Sequence, residues 1–484
     1  MSGQNKYKRL GVNSIYTFIG NVGPQLVSFL LVPFYTYWLT REDYGIQDLV
    51  LTCIVFFIPY LSLGFYEAVF LFPKDKEHQE QKEYFSTAVI TVSMIMGGLL
   101  LLWFVVRIFI NDKMMPEAML PYEFYLVAAL VIGPYQRIIQ NFARSLNEMK
   151  VYSITGVVYA IVMLVLSLTL VPKCGLSGYF VAFLSAELLS IIYAFWGLRT
   201  WTFLSVKDCH YSRFVEMIKY SLPLVPNATM WWVVNSINRP IMLATVGLGG
   251  VGLYAVANKF PSIINVLFTV FFSALQISVL EEFGKKDYSI FYNNVFRVVY
   301  LAMILVTFLF FLCGDLIFKL IISEEFQEGV IYVPILCVGA LIANVGAYVG
   351  STFNVLKKTK YFLYSTIIAA IVAVVANWLL IPSYGIMGAC IAICLSQLAM
   401  FLYRWFKSYK YVNFEKQSRL AIITLLFFTS LFIYYMFDAS ALKQIFLIAL
   451  LLAICACNLD MAKSVKEIYI ARRTRNDFPT GEEK

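Results

Sequence analysis

Long apolar stretches run along almost the whole chain, from position 11 to position 460, and are broken by charged residues or by proline and glycine. A helix needs about 20 apolar residues to cross a hydrocarbon core about 30 Å thick, and these stretches reach that length. Their apolar positions are continuous and do not alternate, which argues against a barrel of strands. The pattern predicts an all-α polytopic membrane protein with fourteen transmembrane helices, at 11–38, 48–72, 84–110, 122–144, 153–171, 178–197, 214–241, 252–280, 290–313, 330–356, 361–381, 388–404, 419–437 and 443–459.

Polar side chains recur every fourth residue inside two of these spans and so share one face of each helix. The first span carries Asn13, Thr17, Asn21 and Gln25, and the seventh carries Asn227, Trp231, Asn235 and Arg239. Amides can simply hold helices together by hydrogen bonds. Because two spans carry matching ladders, a polar cavity is favoured, with Asn21, Gln25 and Asn235 as candidate substrate-binding residues.

The second half of the chain repeats the first at an offset of 210 residues. Pro172, Gly175, Leu176, Gly178 and Ala182 fall on Pro382, Gly385, Ile386, Gly388 and Ala392. Near an offset of 207, Tyr44, Gly45 and Ile46 fall on Val251, Gly252 and Leu253. Six spans plus six predict two pseudo-symmetric lobes related by an axis along the membrane normal, with a substrate path between them. Spans 13 and 14 have no counterpart in the repeat.

Lysine and arginine are concentrated in alternate loops, which are therefore predicted to be cytoplasmic together with both termini. The opposite loops carry only Arg41, Lys113, Lys173, Lys319 and Lys443. The predicted organisation is a cytoplasmic N-terminus at 1–10, an N-lobe at 11–200, a cytoplasmic linker at 201–213, a C-lobe at 214–405, spans 13 and 14 at 406–459, and a basic cytoplasmic tail at 460–484. We interpret the tail as a topology anchor that contacts anionic lipid.

Composition agrees with this organisation, since 60% of the residues are hydrophobic and only 14% are charged. The net charge of +9 follows from the loop asymmetry and requires no nucleic-acid partner. The nine cysteines lie mostly in apolar runs and are interpreted as small buried hydrophobes. No nucleotide-binding loop, HExxH motif or Gly-x-Ser-x-Gly elbow is present, and the outer loops are short. We therefore predict a transporter without catalytic residues, metal or cofactor.

Five charged residues stand in apolar surroundings, where a charge is costly unless it serves a pathway or a pair. They are Arg137, Arg239, Lys259, Glu67 and Glu187. Cations slightly outnumber anions, so the predicted cavity is cationic. Glu67 and Glu187 are candidate ion-coupling residues or charge partners, and Arg239 could equally form a structural salt bridge.

Four segments carry a resemblance to a known family. They are LLVPFYTYWLTREDYG at 30–45, YSLPLVPNATMWWVVNSINR at 220–239, GLYAVANKFP at 252–261 and EEFQE at 324–328. On these segments the chain resembles, over nearly its whole length, the polysaccharide repeat-unit flippases, the Wzx group of the multidrug, oligosaccharidyl-lipid and polysaccharide (MOP) exporter superfamily. Where the family has Asp before the arginine of span 7, this chain has Asn238, which argues against an ion pair within that dipeptide.

The resemblance implies an alternating-access flippase that moves undecaprenyl-diphosphate-linked oligosaccharides outward across the bacterial cytoplasmic (inner) membrane. The product would be O-antigen of lipopolysaccharide, capsule or exopolysaccharide. We expect Arg239 and Lys259 to form an outer cationic station for the diphosphate and Arg137 an inner one. The implied partners are the lipid-linked substrate, membrane lipid, and a polysaccharide polymerase with its chain-length regulator, and the transporter itself would act as a monomer.

Three alternatives stay open. A flippase for lipid II-type peptidoglycan precursors would also have fourteen spans and a cationic cavity. A drug exporter of the same superfamily, of the ion-coupled MATE kind, would carry an acidic residue deep in span 1, which here is rich in amides and has no carboxylate. A membrane-embedded polysaccharide polymerase or glycosyltransferase would need a sizeable loop with catalytic residues, and the predicted loops are short.

Overall fold

The computed structural model describes residues 16, 20, 22–109, 117–282, 288–356, 358, 360–412, 418–437 and 441–456. These residues are predominantly helical and contain no strand, which confirms the predicted all-α class. After a helical segment at 22–30, the helices are α1 (Val32–Trp38), α2 (Arg41–Leu61), α3 (Phe65–Leu71), α4 (His78–Phe109), α5 (Glu123–Ser145), α6 (Met149–Gly197), α7 (Tyr211–Ser221), α8 (Leu224–Ser236), α9 (Asn238–Glu282), α10 (Tyr288–Ile321), α11 (Val333–Val355), α12 (Lys360–Ser408), α13 (Ser418–Met436) and α14 (Ala441–Ala456). Short 3-10 helices lie at Glu117–Tyr122, Thr200–Thr202, Val206–Asp208 and Glu324–Tyr332.

Within the described residues, eight helical stretches are long and apolar enough to cross a membrane. Three of them, at 149–197, 211–269 and 360–408, each contain two predicted spans, while α13 and α14 contribute shorter apolar helices. The protein is therefore a multi-pass membrane protein. The count of fourteen spans and the cytoplasmic placement of both termini stay predictions.

The internal repeat is visible in the backbone of α6 and α12. Gly175 has φ 55° and ψ −135°, and Gly385, 210 positions later, has φ 55° and ψ −134°. A Cβ added to Gly178 would lie 2.5 Å from the carbonyl oxygen of Leu170. In α12, a Cβ added to Gly388 would lie 2.2 Å from the carbonyl oxygen of Leu380. Eight residues of a straight helix span about 12 Å, so the chain folds back on itself at both glycines.

Helices α2 and α9 cross with their backbones in contact. A Cβ added to Gly45 would lie 2.2 Å from the carbonyl oxygen of Leu248, and one added to Gly252 would lie 1.9 Å from that of Arg41. Gly45 and Gly252 are 207 positions apart, and so are Arg41 and Leu248. The contact is therefore reciprocal, as in a two-fold interface. The pseudo-two-fold axis of the repeat therefore passes through this crossing.

The second span differs from its predicted bounds of 48–72. Helix α2 begins earlier because Thr40 forms a capping box, in which its hydroxyl accepts from the Asp43 amide at 3.1 Å and the Asp43 carboxylate accepts from the Thr40 amide at 3.2 Å. The helix then ends at Leu61, and Gly64, with φ 67°, leads into α3. The early start places residues near position 48 two turns inside the helix.

The linker between the two predicted lobes is fixed to the start of α4. Arg213 forms salt bridges with Glu80 at 3.1 Å and Glu83 at 2.9 Å. Asp208 pairs with Lys82 at 2.9 Å. Hydrogen bonds from Lys82, Ser205 and Gln79 lower the pKa of Asp208 to about 2. Charged groups thus hold the linker against the predicted N-lobe.

Helices α13 and α14 pack against α10. The hydroxyls of Tyr300 and Thr424 are 2.6 Å apart, which joins α10 to α13. Farther along α10, Asp315 accepts from Tyr434 at 2.5 Å and forms a salt bridge with the buried Lys443 of α14 at 3.0 Å. The last two helices are therefore attached to the C-terminal half of the bundle.

Candidate functional site

A polar cavity of about 460 Å³ lies between the segment 22–30 and helices α5 and α6. Its charged and amide lining consists of Gln25, Gln136, Arg137, Gln140, Asn141, Arg144 and Glu187. Two arginines face one carboxylate, so the cavity has a net positive charge if all three groups are ionised. The amides add neutral donors and acceptors suited to hydroxyl groups.

The two arginines of this cavity are held mainly by aromatic rings. The Arg137 guanidinium lies 5.7 Å from the ring centre of Tyr66, and that of Arg144 lies 4.5 Å from the ring centre of Phe70. Arg144 also donates to the Asn141 side chain at 3.1 Å. A ring face attracts a cation without occupying its N–H donors. Both guanidinium groups therefore keep donors for an anion.

Glu187 lines the same cavity from α6. Its Oε2 atom is buried and has no hydrogen-bond partner among the described residues. A buried carboxylate oxygen without a partner is costly. Glu187 therefore carries an unsatisfied acceptor atom beside this cavity.

A second cavity of about 230 Å³ adjoins the first. Pro24, Gln25 and Tyr159 line both cavities, and Lys259 of α9 lines the second. The Lys259 amine lies 3.4 Å from the Ser28 hydroxyl. Together, the shared walls and the basic residues define a cationic path, which we call the Arg137–Lys259 path, from Arg144 through Arg137 and Gln25 to Lys259.

Arg239 has a different environment from Lys259, although the sequence predicts one station for both. Arg239 is 6% exposed as a residue, and its guanidinium pairs with Asp48 of α2 at 3.1 Å. It also donates to the Asn238 side chain at 3.0 Å and to the Asn235 carbonyl oxygen, and it lies 5.0 Å from the ring centre of Tyr254. In this conformation Arg239 is a paired residue between the two predicted lobes.

The remaining predicted site residues are dispersed. Asn235 donates to the Trp231 carbonyl oxygen at 2.8 Å and accepts weakly from Gln397 at 3.5 Å. Glu67 is half-buried in the first turn of α3 and lines neither of the two cavities. Asn21 lies outside the described residues. Of the predicted set, the structure brings together Arg137, Gln25, Lys259 and Glu187.

Sequence reasoning missed two residues of this region. Arg144, the last residue of the predicted fourth span, is not among the predicted site residues, yet it lines the larger cavity. Asp48, the partner of Arg239, is the first residue of the predicted second span and is not among the predicted site residues. The capping signal at Thr40 and Asp43 could have placed Asp48 inside a helix.

Two family models match the chain. The model described as "Polysaccharide biosynthesis protein" matches residues 10–276, and the MatE model matches residues 226–379. The first covers more than half of the sequence. The chain belongs to the polysaccharide biosynthesis protein family. This membership agrees with the resemblance drawn from the sequence segments.

Relatives of similar length lie in bacteria and archaea. The chain is 23% identical to the capsular polysaccharide biosynthesis protein CapF of Staphylococcus aureus, over 81% of this chain and 98% of CapF. It is 22% identical to an uncharacterized membrane protein of Methanocaldococcus jannaschii, over 81% of this chain and 95% of the relative. These matches extend beyond the residues covered by the family model.

Solved structures share the fold. The lipid II flippase MurJ in an inward closed conformation superposes with a TM-score of 0.68 at 14% identity, covering 95% of this chain and 99% of MurJ. An inward-facing multidrug resistance MATE transporter gives a TM-score of 0.64 at 13% identity, covering 80% of this chain and 94% of the transporter. Together with the family matches, they identify the protein as a membrane transporter of the MOP superfamily and not an enzyme.

Proposed function

We propose that this member of the polysaccharide biosynthesis protein family is a flippase that moves undecaprenyl-diphosphate-linked oligosaccharides from the inner to the outer leaflet of the bacterial cytoplasmic membrane. The observation that carries the proposal is the Arg137–Lys259 path, in which basic and amide side chains line two adjoining cavities inside an apolar bundle. A diphosphate entering hydrocarbon without cationic partners would meet a desolvation penalty of at least several kcal/mol. This path offers such partners.

The two kinds of basic residue suit different parts of the proposed route. Arg137 presents a planar fork that can bind two phosphate oxygens, whereas Lys259 presents a point charge. Amides such as Gln25 and Gln140 can bind sugar hydroxyls. Glu187, with its unpartnered oxygen, is proposed as the group that couples cavity occupancy to an ion or to Arg137.

The contacts between the lobes support loading from the cytoplasmic leaflet. At the predicted outer end, Gly45 and Gly252 are in backbone contact, Arg41 pairs with Glu328 at 2.9 Å, and the Thr36 carbonyl oxygen accepts from Ser323 at 2.5 Å. A bundle closed at this end must admit substrate from the other. Rocking of the two lobes against each other around the site would then expose the path outward.

An apolar groove is proposed to hold part of the polyprenyl tail. It has a volume of about 260 Å³ and is lined by residues of α10, α11, α12 and α13, among them Phe296, Leu341, Trp405 and Phe428. Its polar atoms are few, and its walls are aromatic and aliphatic. Span 13 would thus contact the lipid part of the substrate while the Arg137–Lys259 path holds the head group.

A specific observation favours the lipid II alternative over the drug-exporter alternative. The MurJ match covers 95% of this chain, against 80% for the MATE transporter. Lipid II carries the same diphosphate, so the cavity alone does not separate the two substrates. Complementation decides between them: expression of this chain should not replace a depleted lipid II flippase.

The proposed function is tested by replacing Arg137. Arg137→Ala at normal membrane abundance should trap lipid-linked oligosaccharides in the inner leaflet, and Arg137→Lys should restore part of the export because a point charge remains. The matched control is Arg107→Ala, which removes an arginine paired with Glu123 at 3.2 Å, away from both cavities. Wild-type surface polysaccharide in the double variant Arg137→Ala, Lys259→Ala would refute the proposal.

A further inference from the structure

We infer that Arg239 exchanges Asp48 for the diphosphate of the substrate when the predicted outer end of the bundle opens. The inference rests on the proposed function and adds a second anion site to it. In the present conformation that site is filled by a carboxylate of the protein, which occupies the place of the substrate's phosphate oxygens. Asp48 is then the counterion of the closed state and the diphosphate that of the open state.

The first observation is how Arg239 is held. Only one of its partners, Asp48, comes from the predicted N-lobe, with the Arg239 Nε atom 3.1 Å from a carboxylate oxygen. The others, Asn235, Asn238 and Tyr254, belong to the predicted C-lobe, as Arg239 does. Movement of one lobe against the other would therefore remove Asp48 and keep the rest. The guanidinium would stay oriented and lose only its anion.

The second observation is where the ion pair lies. Asp48 follows Gly45 by one helical turn on α2, and Gly45 is in backbone contact with Leu248 of α9. Any opening at this end must separate α2 from α9 at the Gly45 crossing. Arg239 and Leu248 lie on either side of the α9 kink at Gly247, and both belong to the predicted C-lobe. Asp48 moves with α2 in the predicted N-lobe, so an opening that separates the lobes breaks the ion pair in the same motion.

The third observation concerns charge. A guanidinium stays protonated in proteins, so Arg239 cannot lose its charge when Asp48 leaves. An uncompensated cation inside a membrane bundle is strongly unfavourable. Opening without an anion is therefore suppressed, and opening with a diphosphate on Arg239 is not. By linkage, a diphosphate that favours the open state must also bind that state more tightly.

A disulfide reporter can measure the closed state directly. A Cβ added to Gly249 would lie 3.7 Å from the Arg41 Cβ, within the range of about 3.5 to 4.5 Å found in disulfides. The pair Arg41→Cys and Gly249→Cys, in full-length protein lacking its native cysteines, should cross-link only while the outer end is closed. Inorganic pyrophosphate serves as the head-group probe.

Five results are expected with purified reporter protein. Pyrophosphate should slow cross-linking, since it stabilises the open state. Arg239→Gln should abolish this response, while Arg239→Lys should keep part of it. Asp48→Asn should slow cross-linking at least about fivefold even without pyrophosphate, because the closed state has lost its counterion. Arg107→Gln, the matched loss of a peripheral arginine, should respond like the unmodified reporter.

Two results would overturn the inference. One is an undiminished pyrophosphate response in Arg239→Gln, which would place the anion elsewhere. The other is unchanged cross-linking in Asp48→Asn, which would mean that the ion pair does not hold the closed state. Each variant must elute as a single species, and Arg239→Lys replaces Arg239→Gln if the latter misfolds. Failure of the proposed function is distinguishable, because a deletion strain would then accumulate no lipid-linked oligosaccharide.

Discussion

The glycine crossing offers a direct test of how the outer end is closed. Gly252→Ala adds a Cβ that would lie 1.9 Å from the Arg41 carbonyl oxygen, so α2 and α9 must separate by about 1.5 Å to restore ordinary van der Waals contact. Overpacking of this kind costs about 1 to 3 kcal/mol. Because opening separates the two helices and relieves the strain, the substitution should lower the closed-to-open equilibrium constant by about 5- to 150-fold.

The assay is the Arg41→Cys, Gly249→Cys cross-link, measured with and without Gly252→Ala. Its matched control is Gly314→Ala, since a Cβ at Gly314 would meet nothing within 4 Å. We expect cross-linking to slow in Gly252→Ala, at most by the change of about 5- to 150-fold in the equilibrium constant, and to stay unchanged in Gly314→Ala. Export should fall as well, because the substrate loads from a conformation that is closed at this end. Equal cross-linking in the two variants would show that the crossing does not close the bundle.

Two further predictions concern the loops. Cys174 is exposed beside the Gly175 kink and, as the only cysteine of a variant, should react with an impermeant thiol reagent in intact cells. Cys209 should react only after lysis. The reverse pattern contradicts the predicted topology. Because Asp208 has its pKa lowered to about 2, its contribution to linker stability is present above its unfolded pKa of about 4 and lost as the pH falls toward 2. Linker proteolysis should therefore be faster in Asp208→Asn than in the wild type at pH 5, and this difference should shrink toward pH 2. A difference that does not change with pH contradicts the assignment.

Sequence alone predicted the fold class and the internal repeat. Continuous apolar runs longer than a bilayer crossing leave little choice but helices, because backbone groups in lipid must be paired within the segment. The repeat could be recognised in the sequence because the backbone geometry at these positions requires glycine. Gly175 and Gly385 adopt positive φ, and Gly45 and Gly252 allow a contact that a side chain would block. A position with positive φ or a close backbone contact favours glycine in both halves of the chain, so the repeat stays visible there.

Tertiary structure decided which charges meet. A ladder such as Asn235 and Arg239 shows that two residues share a face, but it does not show what that face contacts. Arg239 pairs with Asp48, which is 191 residues away, and this pairing depends on how α2 and α9 cross. Likewise, Arg144 lines the larger cavity with its guanidinium 4.5 Å from the ring centre of Phe70 in α3, a contact that no local pattern encodes. Periodicity fixes the direction of a side chain along its own helix, whereas its partner is fixed by packing between helices distant in sequence.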